Sequence, residues 1–211
     1  MKVLLVNGSP HENGSTYTAL TAAAEALKDG GIGTEFFWIG NKPVPGCIAC
    51  RTCAKTGKCF VDDVVNDFRK LAAEADGFVF GTPVYYASAA GSMVSFMDRV
   101  FFSESLGNGG NAFRLKPAAT VVVARRGGTT STFEQINKYL TISQMPVVSS
   151  CYWNMAHGNS PDEIRQDTEG MQIMRVLGRN IAYLLNCLEA GRKVGVKPPE
   201  NEMRIYTNFI R

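Results

Sequence analysis

Residues 2–16 read KVLLVNGSPHENGST. The apolar part, Val3 to Val6, is unbroken. It stops at Asn7-Gly8-Ser9-Pro10, a cluster that cannot continue a strand or begin a helix cleanly. A continuous apolar run, in place of apolar–polar alternation, marks a strand covered on both faces. The stretch that follows, TYTALTAAAEALKDGG at 16–31, is rich in Ala and Leu and closes on two glycines. That composition predicts a helix with a glycine stop. Strand, polar loop and helix in that order are the opening half of a crossover unit.

The same alternation continues outward. GTEFFWIG (33–40), GFVFGTPVYY (77–86), AATVVVARRGG (118–128) and MPVVSSCYW (145–153) read as four further strands. Between them DDVVNDFRKLAAEAD is helical, with Asp62 or Asp63 as its cap and Val64, Val65, Phe68, Leu71 and Ala72 on one face. SAAGSMVSFMDRVFFS and STFEQINKYLTISQ are helical as well. A last helix spans about Ser160 to Ala190, with Met171, Met174, Leu177, Ile181 and Leu184 at helical spacing. Five buried strands alternating with helices predict an α/β doubly wound parallel sheet. At 211 residues the chain fits one domain, 1–211, with a cysteine-rich insert at about 46–60 and a polar tail at about 193–211.

Composition narrows the function. The net charge is +3 and no five like charges adjoin, so nucleic acid is not an expected partner. No apolar stretch reaches the roughly 18 residues of a membrane helix. The apolar run near the start is too short for a signal peptide, so the expected location is cytoplasmic, where stable disulfides are rare.

In a doubly wound sheet, ligands bind beyond the carboxyl ends of the strands. Three loops there are unusual. GSPHENGST offers the hydroxyls of Ser9, Ser15 and Thr16, the Asn13 amide, and a helix start with free N–H groups. It suits a monophosphate. It lacks the glycine pattern of a dinucleotide fingerprint and the Gly-Lys-Ser/Thr of a triphosphate loop. TPVYYASAAGSM brings Pro83, Val84, Tyr85 and Tyr86, which can line a flat ring. RRGGTTSTF brings Arg126, Gly127 and Gly128, able to face negative charge on a reduced ring. One phosphate cradle and two ring-sized loops on one edge best fit FMN.

These segments resemble a known group. GSPxxxGST after the first strand, the cysteine segment after the second, GTPVYYASAAGSMVSFMDR after the third and RRGGTT after the fourth are similar to the NADPH-dependent FMN reductase and iron–sulfur flavoprotein family. LGRNIAYLL at 177–185 fits too. The resemblance implies a flavodoxin-like fold with strand order 2-1-3-4-5. It implies FMN held at the phosphate by Ser9, Asn13, Ser15 and Thr16. Pro83, Val84, Tyr85 and Tyr86 would line the ring, with the backbone of Arg126 to Gly128 on its pyrimidine side. It further implies electrons taken from NAD(P)H or a ferredoxin-like donor, and a homodimer or homotetramer. No side chain is expected as a catalytic acid or base, since the cofactor carries the chemistry.

The remaining question is GCIACRTCAKTGKCF at 46–60. Cys47, Cys50, Cys53 and Cys59 follow C-x2-C-x2-C-x5-C spacing, while only Cys151 and Cys187 lie elsewhere. Two short gaps can curl three thiolates round a [4Fe–4S] cluster, and Gly57 lets the fourth return. Iron–sulfur flavoproteins carry such a motif at this place. Zinc, disulfides and unmetallated thiols stay open as alternatives. With a cluster, the protein would relay single electrons through FMN, as a carrier. Without one, hydride would pass from NAD(P)H to the flavin and on to a quinone, flavin, azo or nitro compound. A flavin-binding redox sensor is the non-enzymatic alternative. Cys151 and Cys187 are expected in the core. His11, in the phosphate loop, and His157, after the fifth strand, are read as solvated loop histidines, with contact to the phosphate and to a neighbouring subunit's flavin as the respective alternatives.

Overall fold

Burial on both faces of the first strand organises the molecule. In this computed structural model, which describes residues 1–202, Ile205 and Thr207, strand β1 (Lys2–Asn7) is an interior strand, paired on both edges. Val3 and Leu5 face one apolar layer and Leu4 and Val6 the other, and all four are fully buried. A strand sandwiched this way has no polar face to present, which is why its run is unbroken.

The parallel strands β2 (Gly33–Trp38), β1, β3 (Gly77–Tyr85), β5 (Ala118–Ala124) and β6 (Met155–His157) lie side by side in that order. The two-residue β4 (Ser88–Ala89) folds back antiparallel on the end of β3. Leaving β4 aside, the order is second, first, third, fourth, fifth, as the resemblance implies. Helix α1 (Ser15–Asp29) and the long α7 (Thr168–Lys193) cover one face. They approach closely: a Cβ on Gly178 would sit 2.4 Å from the Ala23 carbonyl. The other face carries α3 (Val64–Glu74), α4 (Gly91–Asn108) and α5 (Thr129–Ile142) over a cluster of Phe68, Phe78, Phe80 and Phe96. The short α2 (Cys53–Thr56) and α6 (Pro161–Gln166) complete the chain. Asp63 caps α3, its carboxylate accepting from the Val65 N–H.

Three expectations need correction. The fifth strand is not 145–153. Val147 makes one bridge to Ala118, then the chain swings outward, exposing Cys151, Tyr152 and Trp153, before it pairs again at Met155–His157. An apolar run at a sheet edge need not be continuous strand, and periodicity alone cannot show the break. The helix from 160 to 190 is two helices. Asp167 ends α6 and caps α7 by accepting from the Gly170 N–H, and it also holds the His157 N–H. Cys151 and Cys187 are exposed, not core. The expected tail from 193 has no regular structure from Val194 to Glu202, and residues 203, 204, 206 and 208–211 lie outside the described residues. Among the described residues no helix is long and apolar enough to cross a membrane.

Candidate functional site

The loop after β1 is built by its own backbone. Buried Asn7 accepts from the Ser9 N–H and donates to the Glu12 carbonyl at 2.9 Å, so one side chain pins both ends of the turn. The Ser9 hydroxyl accepts from the His11 N–H. Trp38, at the end of β2, donates its indole N–H to the Ser9 carbonyl at 2.8 Å. Gly8 must be glycine, because a Cβ there would press on Met93 and lie 2.9 Å from the Gly81 carbonyl. The result is a rigid loop delivering the chain to α1.

At that helix start, Gly14 gives no side-chain cap. The first N–H groups therefore point outward without an internal partner, with the positive end of the helix dipole behind them. Thr16 is 1% exposed, and its hydroxyl has no hydrogen-bond partner among the described residues. Thr132, Gln135 and Asn154 also hold unpartnered atoms, but Thr16 alone among them stands at the head of α1. Ser9 is buried, while Asn13 is exposed and Ser15 half-buried. Asn13 and Ser15 line an open cleft of about 580 Å3, shared with His11, Trp38, Asn41 and Asn159. The donor set and the orphaned hydroxyl fit a phosphate.

The other two loops adjoin this one. The Gly8 N–H bonds the Gly81 carbonyl at 2.8 Å, tying the first loop to β3. Beyond it Pro83 is buried, Val84 is half-buried and Tyr85 and Tyr86 are both exposed. Tyr86 sits at the hairpin tip with φ 53°. Gly128, at φ +90°, starts α5, and a Cβ there would lie 2.9 Å from a Val84 methyl. So Val84 and Gly128 form one wall, with Arg126 and Gly127 exposed beside it. The uncapped start of α5 adds free N–H groups at that wall.

The cysteine loop is a separate construction. Cys47, Cys50, Cys53 and Cys59 all line one hollow, with Arg99, Phe102 and Ser103 from α4 as its back wall. Cys47 and Cys50 lie on the exposed side, Cys53 is buried and Cys59 half-buried. Burial pushes the Cys53 thiol up, whereas hydrogen bonds from the Thr52 hydroxyl and backbone hold Cys50 below the ordinary thiol value. Ala49 and Arg51, flanking Cys50, adopt φ 52° and 57°. Each such left-handed L-residue costs about 1–2 kcal/mol. Strain of this kind persists where surrounding structure over-determines a loop. The two ends of this loop, away from Ala49 and Arg51, are held from α3 and α4. Asn66 on α3 accepts from the Cys59 N–H and donates to the Cys59 carbonyl, both at 3.0 Å. Arg99 donates to the Cys59 sulfur and to Asp63. Burial works against the Arg99 charge, but the bonds to Asp63 and Cys59 outweigh it and raise its pKa. Among the described residues no three His, Cys, Asp or Glu side chains close on a single metal ion.

The sequence model of NADPH-dependent FMN reductases matches residues 1–160. The chain belongs to that family. An iron-sulfur flavoprotein of Methanocaldococcus jannaschii is 32% identical over 198 residues, covering 90% of this chain and 100% of that protein. Among solved structures, an archaeal flavodoxin aligns with TM-score 0.58 at 13% identity, covering 88% of this chain and 99% of that one. An NAD(P)H:quinone oxidoreductase from Methanothermobacter marburgensis aligns with TM-score 0.66 at 17% identity, covering 86% and 98%. The fold of this FMN reductase family member is thus flavodoxin-like, and the chain is an oxidoreductase by family.

The three loops read from the sequence do meet along one edge. Four contributors there escaped sequence reading: Asn7 and Trp38, which pin the first loop, and Asn41 and Asn159, which line the cleft. Arg99, Asp63 and Asn66 around the cysteines escaped as well. The capping signal at Asp63 was legible; its second task was not.

Proposed function

We propose that the chain is an FMN-dependent NAD(P)H oxidoreductase that passes electrons to a small acceptor such as a quinone, a flavin, or an azo or nitro compound. The observation that carries this is the uncapped start of α1 with the unpartnered Thr16 hydroxyl behind it. Ser9, Asn13, Ser15 and Thr16 would hold the phosphate. Pro83, Val84, Tyr85 and Tyr86 would line the ring, with Arg126, Gly127 and Gly128 on its pyrimidine side. Bound FMN supplies both hydride acceptance and single-electron transfer. This chain's residues bind and orient it, and the exposed hairpin at Tyr85–Tyr86 leaves one approach open for donor and acceptor. Anaerobic mixing of FMN-loaded protein with NADPH or NADH tests the reading. Bleaching of the flavin bands and reoxidation by a quinone is the expected result; no bleaching with either nucleotide contradicts it.

A specific observation favours a second component. Four thiols line one hollow, and the relative from M. jannaschii is named an iron-sulfur flavoprotein. A single zinc needs four sulfurs at ~2.3 Å from one point. A cubane spreads its four thiolates around a wider cage, which suits residues ringing a hollow. Cys47, Cys50, Cys53 and Cys59 would hold a [4Fe–4S] cluster, which supplies one-electron exchange. A ferredoxin-like donor then becomes an alternative to NAD(P)H, and the protein an electron carrier. About four iron and four sulfide per chain in anaerobic preparations support this part; flavin without iron, even after reconstitution, removes it and leaves the first.

A further inference from the structure

One residue on a distant helix closes the cysteine loop. Arg99 is 2% exposed and spends its guanidinium on four partners. Its Nε and Nη2 donate to the Cys59 sulfur at 3.4 and 3.3 Å. Nη1 and Nη2 form a fork on the Asp63 carboxylate at 2.6 and 2.8 Å. Nη2 also donates to the Val61 carbonyl at 2.9 Å, and Nη1 to the Pro45 carbonyl at 3.4 Å. Pro45 precedes the first cysteine, and Val61 and Asp63 follow the last. Arg99 therefore ties both ends of the cysteine segment to one point on α4, and Asp63 in turn caps α3.

A buried arginine fork is an unusual way to hold a loop, and a lysine cannot reproduce it. Carbonyls and a carboxylate would suffice for anchoring. What anchoring does not require is two N–H groups aimed at one sulfur. Such bonds favour negative charge on that sulfur, and hydrogen bonds to cysteine sulfurs are among the settings of a cluster's potential. Asp63 offsets much of the guanidinium charge, so the directed N–H groups carry the effect.

We propose that Arg99 is a positioning residue of the cluster site: it closes the cysteine loop and, through Cys59, raises the reduction potential of the cluster held there. The inference rests on the cluster reading above. Reduction adds one electron and no proton; in the test the electron comes from dithionite. The added charge spreads onto the sulfurs, and the bonds from Arg99 stabilise it. Arg99 also lies eight residues along α4 from Gly91, where the ring-lining loop ends, or about 12 Å along the helix axis. One rigid element thus carries the clamp at one turn and abuts the flavin edge at its start.

The experiment is a potentiometric titration, followed by the cluster's EPR signal, on anaerobically purified wild type, Arg99→Lys, Arg99→Gln and Asp63→Asn. Iron, sulfide and FMN are assayed on each sample. Replacing the fork by lysine or glutamine is expected to shift the one-electron equilibrium at least tenfold toward the oxidised form, about 59 mV lower. Asp63→Asn keeps the N–H groups and the helix cap but removes the offsetting charge, so its shift has the opposite sign. Loss of iron from the Arg99 variants with FMN retained supports the clamp. Wild-type potential in Arg99→Lys together with no shift in Asp63→Asn overturns the inference and leaves the cluster reading standing. Should Arg99→Gln not fold, the other two variants decide. Wild type that takes up no iron and sulfide on reconstitution overturns both.

Discussion

The flavin edge and the cysteine loop are built by opposite means. At the edge, topology does the placing. The ends of β1, β3 and β5 are brought side by side by the sheet, and glycines at 8, 81 and 128 leave room for the Gly81 carbonyl, Leu20 and Val84 respectively. Few side chains are needed beyond Asn7 and Trp38. The cysteine loop has almost no regular structure, and side chains from α3 and α4 hold it: Asn66, Asp63 and Arg99. A site made from strand ends is legible wherever strands are legible. A site made from long-range side-chain bonds is not.

That difference accounts for what the sequence disclosed. The unbroken run at Val3–Val6 and the glycine-rich exits showed the sheet and its ligand edge, because burial on both faces leaves a compositional mark. Cysteine spacing located the second site. Arg99 closes the motif GTPVYYASAAGSMVSFMDR, but nothing there tied it to the cysteines: it stands 40 residues from Cys59 and meets it only through the packing of α4. The edge strand is not legible at 145–153, because an apolar run looks the same whether it pairs throughout or, as here, breaks after Val147 with pairing resumed only at Met155.

The helices that hold the cysteine loop meet at a buried ion pair. Glu104 on α4 is buried against Arg69 on α3 at 2.7 Å. Burial pushes its pKa up; the bonds from Arg69, Asn108 and the Ala112 N–H outweigh that and hold it below the ordinary 4.5. Glu104→Gln leaves Arg69 unpaired and is expected to lower stability by about 3–5 kcal/mol in urea unfolding at pH 7. A depressed carboxyl stabilises the fold fully above its unfolded pKa of 4.5, and that part is lost as pH falls through the lower folded value. The variant should therefore lose its deficit below pH 4.5. FMN affinity of the folded fraction should hold; a matching loss of affinity would mean both regions hang on one seam.

A smaller effect sharpens the contrast from the other side. Thr16→Val removes a buried hydroxyl that has no partner among the described residues. The apoprotein should be no less stable, yet FMN binding should weaken by about 1.5–3 kcal/mol, roughly ten- to a hundredfold, as a bond to a charged phosphate is lost. Calorimetric titration checks the affinity, and unchanged affinity would move the phosphate elsewhere. Smaller still is Gly128→Ala, which forces a side chain to φ +90° and against Val84. It should cost about 1–2 kcal/mol of stability, read by thermal unfolding, and leave iron content untouched.

The most direct test of two separately built sites is one assay on two proteins. FMN, iron and sulfide are measured per chain on anaerobically purified wild type and Cys53→Ala. One FMN is expected in both, with about four iron and four sulfide in the wild type and a loss of most iron in the variant. Absence of FMN from the wild type, or iron unchanged when Cys53 is removed, would contradict that expectation.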